Sequence, residues 1–192
     1  LALRGGSPVR SFARMRPHTL LIVLGLAACS SQRDVADFVF VNGNIITVDS
    51  TDRIAQAGGS ARVLVSDVRD PAAITAMIDA AVADTGRLDV MVNNAGILLA
   101  GRFEDLEARA HLKEIDINAK GVVNGLHAAF PYLRETPNSV VVNLASASAI
   151  YGQAELANYS ATKFFVRGIT EALDIEWNRY GIRVIAMWPL YV

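Results

Sequence analysis

Apolar residues form short continuous runs over the second part of the chain, and each run is bounded by polar residues or glycine. A strand with both faces covered in a parallel sheet needs apolar side chains on both faces, so these runs predict strands. The predicted strands are residues 61–67, 88–96, 139–148 and 182–189.

Between these runs the apolar residues recur with the period of a helix, which predicts helices at residues 70–86, about 106–133 and about 157–179. Asp70 is a suitable N-cap for the first helix, with Pro71 in its first turn and Gly86 after its end. Pro131 is expected to disturb the last turn of the second helix. Gly181 is expected to close the third.

The alternation of strands and helices predicts an α/β fold with a doubly wound parallel sheet over residues 58–192. Residues 1–57 are irregular and form a separate leader and atypical N-terminal segment. In an open parallel sheet ligands bind beyond the carboxyl ends of the strands, and polar side chains follow the apolar runs there. The functional site is therefore expected at this edge of the sheet.

Composition excludes several classes of function. The 192 residues carry 18 basic and 19 acidic side chains, a net charge of −1, so nothing favours nucleic acid as a partner. Cys29 is the single cysteine, which excludes an internal disulfide or a thiolate metal cluster. His18, His111 and His127 are too far apart for a local ligand pair, and no metal site is predicted.

Tyr159 and Lys163 lie four residues apart on a predicted helix, and side chains at this spacing are neighbours. A phenol normally titrates near pH 10, but a cation close by favours its phenolate. Lys163 can supply that cation. Ser146, which follows a predicted strand, can orient a carbonyl or alcohol oxygen while Tyr159 gives or takes a proton. This chemistry suits proton transfer coupled to hydride transfer, for which a cofactor must supply the hydride.

With these residues the chain resembles the short-chain dehydrogenase/reductase family over residues 58–192. The matching features occur in the family's order: DVRD at 67–70, NNAG at 93–96, DINAKG at 116–121, then Ser146, Tyr159 and Lys163. The resemblance implies a Rossmann-like sheet. It is expected to be incomplete, with the first βαβ unit and the C-terminal strand missing or replaced.

The resemblance implies a catalytic tetrad of Asn118, Ser146, Tyr159 and Lys163. Tyr159 would be the acid/base and Ser146 would polarise the substrate oxygen. Lys163 would lower the pKa of the phenol and hold the nicotinamide ribose, and Asn118 would hold a water molecule in the proton relay.

The resemblance also implies NAD or NADP as cofactor, with the choice open, and an alcohol or carbonyl compound as substrate. The implied cofactor-binding residues are Asp67, Val68, Asn93, Ala95, Gly96, Tyr159, Lys163 and Pro189. Among them, Asp67 and Val68 match positions that contact the adenine. Asn93, Ala95 and Gly96 match the segment that lines the cofactor and ties the central strands together.

The chain departs from the family at the phosphate-binding turn, because the pattern TGxxxGxG occurs nowhere in it. We therefore expect weak dinucleotide binding, with a dissociation constant of about 1 mM or more. The alternative function is a non-catalytic, lipid-anchored or remnant protein that keeps the tetrad without binding a dinucleotide. Asp49 is a candidate for the acidic residue that contacts the cofactor ribose.

Residues 15–29 resemble a bacterial lipoprotein signal, with Arg16 before a short apolar run and small residues before Cys29. This favours a periplasmic protein with a membrane tether at Cys29. The alternative is that residues 20–26 form a buried central strand, which would make the protein cytoplasmic. The sequence of residues 36–50 predicts a β-hairpin and resembles the start of an amidohydrolase. The HxH metal motif of that family is absent from the sequence.

The second and third predicted helices resemble the pair through which family members associate. A homodimer or homotetramer is therefore expected.

Overall fold

The computed structural model describes residues 21–24, 64, 66–83 and 85–190, with only the backbone described for residues 21–24. The predicted hairpin at 36–50, Asp49 and Cys29 lie outside the described residues. Most of the predicted N-terminal segment 1–57 does so as well.

Four parallel strands form one sheet in the described part of the chain. They are β1 (Leu21–Leu24), β2 (Val90–Asn93), β3 (Val140–Leu144) and β4 (Arg183–Met187), hydrogen-bonded in the order β1-β2-β3-β4. The parallel α/β fold predicted from the alternation of runs is thus confirmed. Because the strands are parallel, their carboxyl ends meet at one edge of the sheet.

The helices between the strands follow the predicted pattern with shifted ends. They are α1 (Pro71–Val82), α2 (Ala108–Ile115), α3 (Gly121–Glu135) and α4 (Ala157–Trp177), and a π-helical turn at Asp116–Lys120 joins α2 to α3. Helices α1 and α3 pack on each other, α3 packs on β2, and α4 packs on β3 and β4.

The residues predicted to begin or end helices lie at the helix ends in the structure. The Asp70 side chain accepts hydrogen bonds from the backbone N–H groups of Ala72 (2.9 Å) and Ala73 (3.2 Å), which otherwise have no partner in the first turn of α1. Gly86 has a φ of 65° and its N–H donates to the Val82 carbonyl over 2.7 Å, which closes that helix. Gly181, with a φ of 74°, follows α4 and a short 3₁₀ turn.

The prediction that Pro131 disturbs the helix is wrong, because α3 continues past this residue to Glu135. Proline removes one backbone donor, but the buried side chains of Leu126, Ala129 and Leu133 hold this part of α3 against the core. Tertiary packing therefore outweighs the local cost of the proline.

The core lies between the sheet and the helices. Its largest fully buried apolar side chains are Ile74, Ile78, Leu88, Met91, Leu133, Val141 and Ile182. Burial alternates along β2 and β3, where Met91 and Val141 are fully buried while their sequence neighbours on the opposite face are half-buried. The described helices cover the face of the sheet that carries Met91 and Val141.

The strand predicted at residues 61–67 is not present at Leu64, Ser66 or Asp67, which have no regular secondary structure. Asp67 and Val68 instead begin a turn that leads into α1, where the Asp67 carbonyl accepts a hydrogen bond from the Asp70 N–H at 3.0 Å. The rest of this predicted strand lies outside the described residues.

The apolar run at residues 20–26 contributes strand β1, in which Leu21 to Leu24 pair with Val90 to Asn93. The interpretation as a strand is therefore the one that the structure supports, whereas the lipoprotein anchor at Cys29 stays a prediction. The strand is at the end of the described order and not in its centre. Among the described residues, every helix is too short or too polar to cross a bilayer.

Gly121 is needed where α3 meets the turn before α1. A Cβ at this position would lie 2.8 Å from Cγ2 and 3.1 Å from Cβ of Val68, a buried side chain too short to move aside. We expect Gly121→Ala to lower the free energy of unfolding by about 1–3 kcal/mol through overpacking.

The matched control is Gly168→Ala in α4, where an added Cβ meets nothing within 4 Å. It should raise the free energy of unfolding by up to about 1 kcal/mol, because alanine has the higher helix propensity. Urea unfolding of both variants measures these changes, and equal effects of the two substitutions would contradict the proposed contact.

Candidate active site

Tyr159 and Lys163 lie on one face of α4, one helical turn apart. The Lys163 Nζ is 5.6 Å from the centre of the Tyr159 ring. Tyr159 is half-buried, and Lys163 is 6% exposed. The structure thus brings the predicted cation and phenol together at the start of the helix.

The Lys163 ammonium is held by the end of strand β3. Its Nζ donates a hydrogen bond of 2.8 Å to the Leu144 carbonyl. Burial lowers the pKa of Lys163 to about 8, and the negative charge of Glu114 acts in the opposite direction. Lys163 therefore still carries a positive charge at neutral pH.

Gly96 leaves open space in front of this amine. A Cβ on Gly96 would lie 3.3 Å from Asn118 Oδ1 and 3.6 Å from Lys163 Nζ. A Cβ at this position would crowd the Asn118 oxygen and lie in van der Waals contact with the Lys163 amine. The last residue of the NNAG segment is therefore suited to the close approach of a bound molecule.

Asn118 lies in the π-helical turn and is almost fully buried. Its Oδ1 accepts from the Ile97 N–H at 2.8 Å, and its Nδ2 donates to the Ile97 carbonyl (2.8 Å) and to Thr162 Oγ1 (3.1 Å). Both amide hydrogens are thus used within the protein, and Asn118 ties the Gly96 loop to α4. That Asn118 holds a water molecule stays a prediction; its side chain could do so only by accepting a further hydrogen bond at Oδ1.

Ser146 follows β3 and is 8% exposed. Its Oγ accepts a hydrogen bond from the Ser148 N–H at 3.2 Å. Its two neighbours are fixed to the end of β4 and to the segment after it, because the Ala145 N–H donates to the Met187 carbonyl (2.9 Å) and the Ala147 N–H to the Pro189 carbonyl (3.1 Å). The structure therefore brings Ser146 beside Pro189, which the resemblance assigns to the cofactor.

Arg167 reinforces this junction and was missed by the sequence analysis. Its guanidinium donates to the Ala149 carbonyl at 3.2 Å and lies 5.1 Å from the ring centre of Trp188. Its position one turn after Lys163 on α4 is the sequence signal that could have indicated it. Arg167 thus connects α4 to the segment after Ser146 and to the segment after β4.

Asn93 belongs to a buried polar ladder. Its Nδ2 donates to Asn143 Oδ1 (2.8 Å), Asn143 Nδ2 donates to Thr170 Oγ1 (2.9 Å), and this hydroxyl donates to the Val166 carbonyl (2.6 Å). The ladder joins β2, β3 and α4, as expected of a residue that ties the central strands together. Asn143 and Thr170 were missed, although Asn143 is the one polar residue within the apolar run at 140–144.

Asp67 and Val68 lie in the turn before α1. Arg69 donates from Nε and Nη2 to the Asp67 carboxylate, with a shortest contact of 2.6 Å, and this pairing lowers the pKa of Asp67. The Val68 carbonyl accepts a hydrogen bond from Asn124 Nδ2 at 2.7 Å. These contacts fix the turn that the resemblance assigns to the adenine. Arg69 and Asn124 were not expected to take part.

The comparison with known proteins assigns this arrangement to a family. The family profile described as short chain dehydrogenase matches residues 36–192. The chain belongs to the short-chain dehydrogenase family. A 3-alpha-(or 20-beta)-hydroxysteroid dehydrogenase of Mycobacterium tuberculosis is 36% identical over 149 residues, which are 78% of this chain and 57% of that protein.

Solved structures of the family resemble the described fold. The 3-ketoacyl-(acyl-carrier-protein) reductase of Brucella melitensis, complexed with NADH, is 32% identical with a TM-score of 0.63, over 66% of this chain and 55% of that one. The gluconate 5-dehydrogenase of Burkholderia cenocepacia, in complex with NADP and tartrate, is 30% identical with a TM-score of 0.68, over 72% and 55%. The chain thus spans little more than half the length of these relatives.

The burial of Lys163 predicts a pH-dependent stability. Its pKa of about 8 in the folded protein is below its ordinary value of 10.5, so the unfolded chain binds more protons between these two values. The cost of burying the ammonium is therefore complete below pH 8 and disappears as the pH rises to 10.5.

We expect the free energy of unfolding of the wild-type chain, relative to Lys163→Met, to rise by about 3 kcal/mol between pH 7 and pH 11. Urea titrations at a series of pH values measure this difference, in which groups common to both chains cancel. Lys120→Met, at an exposed position of the π-helical turn, is the control and should follow the wild type. A difference that does not change with pH would contradict the buried ammonium.

Proposed function

We propose that this chain is an NAD(P)-dependent oxidoreductase that interconverts an alcohol and a carbonyl compound. The observation that carries the proposal is the pair formed by Tyr159 and Lys163, with Nζ 5.6 Å from the ring centre at the carboxyl edge of the sheet. Membership of the short-chain dehydrogenase family supports it. So do family structures crystallised with NADH and with NADP.

The residues around Gly96 fit a nicotinamide cofactor. The space that a Cβ on Gly96 would fill lies next to Asn118 and Lys163, so the missing side chain leaves this side of the amine uncovered. We propose that Lys163 and Tyr159 hold the nicotinamide ribose and that Pro189 contacts the carboxamide. When bound, the cofactor supplies or accepts the hydride that no side chain can carry.

In the proposed mechanism the protein's own residues handle the substrate oxygen and its proton. Tyr159 donates a proton to the carbonyl oxygen in the reducing direction and accepts it back in the oxidising direction. The Lys163 ammonium stabilises the phenolate that forms, because a cation nearby favours the charged form of a phenol. Ser146 orients the substrate oxygen by a hydrogen bond, and its two neighbours hold it in place through the segment that contains Pro189.

We propose that the protein associates with a second copy of itself through α2, α3 and α4. Large apolar side chains are exposed on these helices in the described structure, and an interface between copies would bury them. They are Leu112 (61% exposed), Ile115 (40%), Val123 (38%), Phe164 (41%) and Phe165 (41%).

We also propose a cytoplasmic location, because residues 21–24 form a strand of the sheet and a reductase needs reduced nicotinamide cofactor.

Cofactor binding tests the proposal directly. Trp188 precedes Pro189, so titration with NADH or NADPH should change its emission, whereas Trp177 lies about 27 Å further along α4 from Tyr159. A Trp177→Phe background isolates the Trp188 signal. Because the family's glycine-rich pattern is missing from the sequence, we expect saturation with a dissociation constant of about 1 mM or more. No binding of either dinucleotide at any accessible concentration would favour the non-catalytic alternative.

Replacing the phenol tests the chemistry. Tyr159→Phe removes one oxygen, so we expect kcat to fall by a factor of about 100 or more, a larger effect than loss of one hydrogen bond to the ribose would have on the cofactor dissociation constant. Turnover of carbonyl substrates, followed by oxidation of NADH or NADPH, measures the loss. Tyr180→Phe, at the opposite end of α4, is the matched control and should keep wild-type turnover. Wild-type turnover in the Tyr159 variant would contradict the assigned role.

A further inference from the structure

Glu114 is a fully buried carboxylate that the proposed mechanism does not use. It lies on α2 with 0% of its surface exposed. Its Oε1 accepts a hydrogen bond from the Leu99 N–H at 2.9 Å, and its Oε2 accepts one from Asn158 Nδ2 at 2.6 Å. A buried charge is costly unless it is paired or hydrogen-bonded, so the partners of Glu114 indicate what it does.

Both partners belong to segments that form the candidate active site. Leu99 is three residues after Gly96, in the loop that faces the Lys163 amine. Asn158 directly precedes Tyr159 in the first turn of α4, and its Nδ2 also donates to the His111 carbonyl at 3.1 Å. The N-cap position of α4, Leu156, provides no side-chain hydrogen bond. The bond from Asn158 to Glu114 therefore fixes the turn that carries the phenol.

Glu114 and Lys163 are both buried, and their helices α2 and α4 pack on each other, so the charge of one acts on the other. Burial lowers the pKa of Lys163 to about 8, and the carboxylate of Glu114 is the charge that opposes this change. The elements around Lys163 carry further titratable or charged groups, which are Tyr159, Arg167, Glu171, Asp174 and Glu176 on α4, Arg109, His111 and Lys113 on α2, and Asp116 and Lys120 in the π-helical turn. Among the described residues, Glu114 is the charged group that acts on the pKa of Lys163. The Gly96 loop and strand β3 contribute only backbone and amide groups at residues 94–101 and 140–144.

We propose that Glu114 is a positioning residue, which holds the Tyr159 turn against the Gly96 loop and compensates the Lys163 ammonium with a buried negative charge. Its part in turnover rests on the proposed function, whereas its effect on Lys163 does not. A purely structural carboxylate would stabilise the fold without changing the titration of the amine. The two roles can therefore be separated by experiment.

The first test is the titration of Lys163 in the cofactor-free protein, followed by NMR at its Cε and Nζ, with Lys163→Met to assign the signal. Glu114→Gln keeps the shape of the side chain and removes its charge. We expect the midpoint of Lys163 to fall by about half a pH unit or more, because an opposite charge is lost from a buried site. Glu104→Gln, at an exposed position before α2, is the control and should leave the midpoint in place.

The second test separates the hydrogen bond from the charge. Asn158→Ala keeps the Glu114 carboxylate but removes its link to the Tyr159 turn. We expect kcat to fall about tenfold or more in this variant through misplacement of the phenol, with an unchanged Lys163 midpoint and a KM within about twofold of the wild type. In Glu114→Gln we expect kcat to fall as well. The alkaline limb of the pH profile of kcat should move to lower pH, as the Lys163 midpoint does.

A double variant, Glu114→Gln with Asn158→Asp, exchanges the donor and the acceptor and returns one buried negative charge to the pair. It should recover part of the Lys163 midpoint and part of kcat relative to Glu114→Gln. An unchanged midpoint in Glu114→Gln, or kcat values within about twofold of the wild type in both single variants, would overturn the proposal. A wild-type chain without any turnover would contradict the proposed function, while the NMR titration would still decide the effect of Glu114 on Lys163.

Discussion

The arrangement at the carboxyl edge of the sheet depends on one buried cation. Lys163 is almost completely removed from solvent, and its amine is held by a backbone carbonyl at the end of β3. Desolvation disfavours the charged form of an amine, so the site must offset this cost if the ammonium is to act on the phenol beside it. The Leu144 carbonyl and the Glu114 carboxylate provide this compensation from two different elements. The positions of these two groups therefore determine how much of the cost of burying the ammonium is offset.

The parallel sheet brings these groups together although they are distant in sequence. Strand β3 ends at Leu144, and the next residues are bonded to the last residue of β4 and to Pro189 after it, which brings Ser146 and Pro189 close together. Asn118, in the irregular turn between α2 and α3, ties the loop after β2 to α4. The loops after β2 and β3 thus contribute different polar groups, and hydrogen bonds to α4 and to the end of β4 fix their positions. The Glu114 contacts add side-chain bonds from α2 to the loop after β2 and to the first turn of α4.

Local patterns were predictable from the sequence, and long-range contacts were not. The capping of α1 by Asp70 and the neighbouring positions of Tyr159 and Lys163 depend on residues within one helical turn, so spacing alone reveals them. The hydrogen bond between Glu114 and Asn158 joins residues 44 positions apart, and no periodicity indicates it. The effect of Pro131 could not be predicted from the local sequence either. Packing against the core keeps α3 intact, although proline disfavours a helix interior.

The amide ladder across the sheet has a consequence for how the chain folds. Asn93 and Asn143 face each other in the parallel register of β2 and β3, and Thr170 continues the ladder into α4. A shift of either strand by one residue would point one amide to the opposite face and leave the others buried without partners, at a cost of about 1–3 kcal/mol for each orphaned group. The amide ladder therefore enlarges the free-energy gap between the native register of β2 and β3 and a register shifted by one residue.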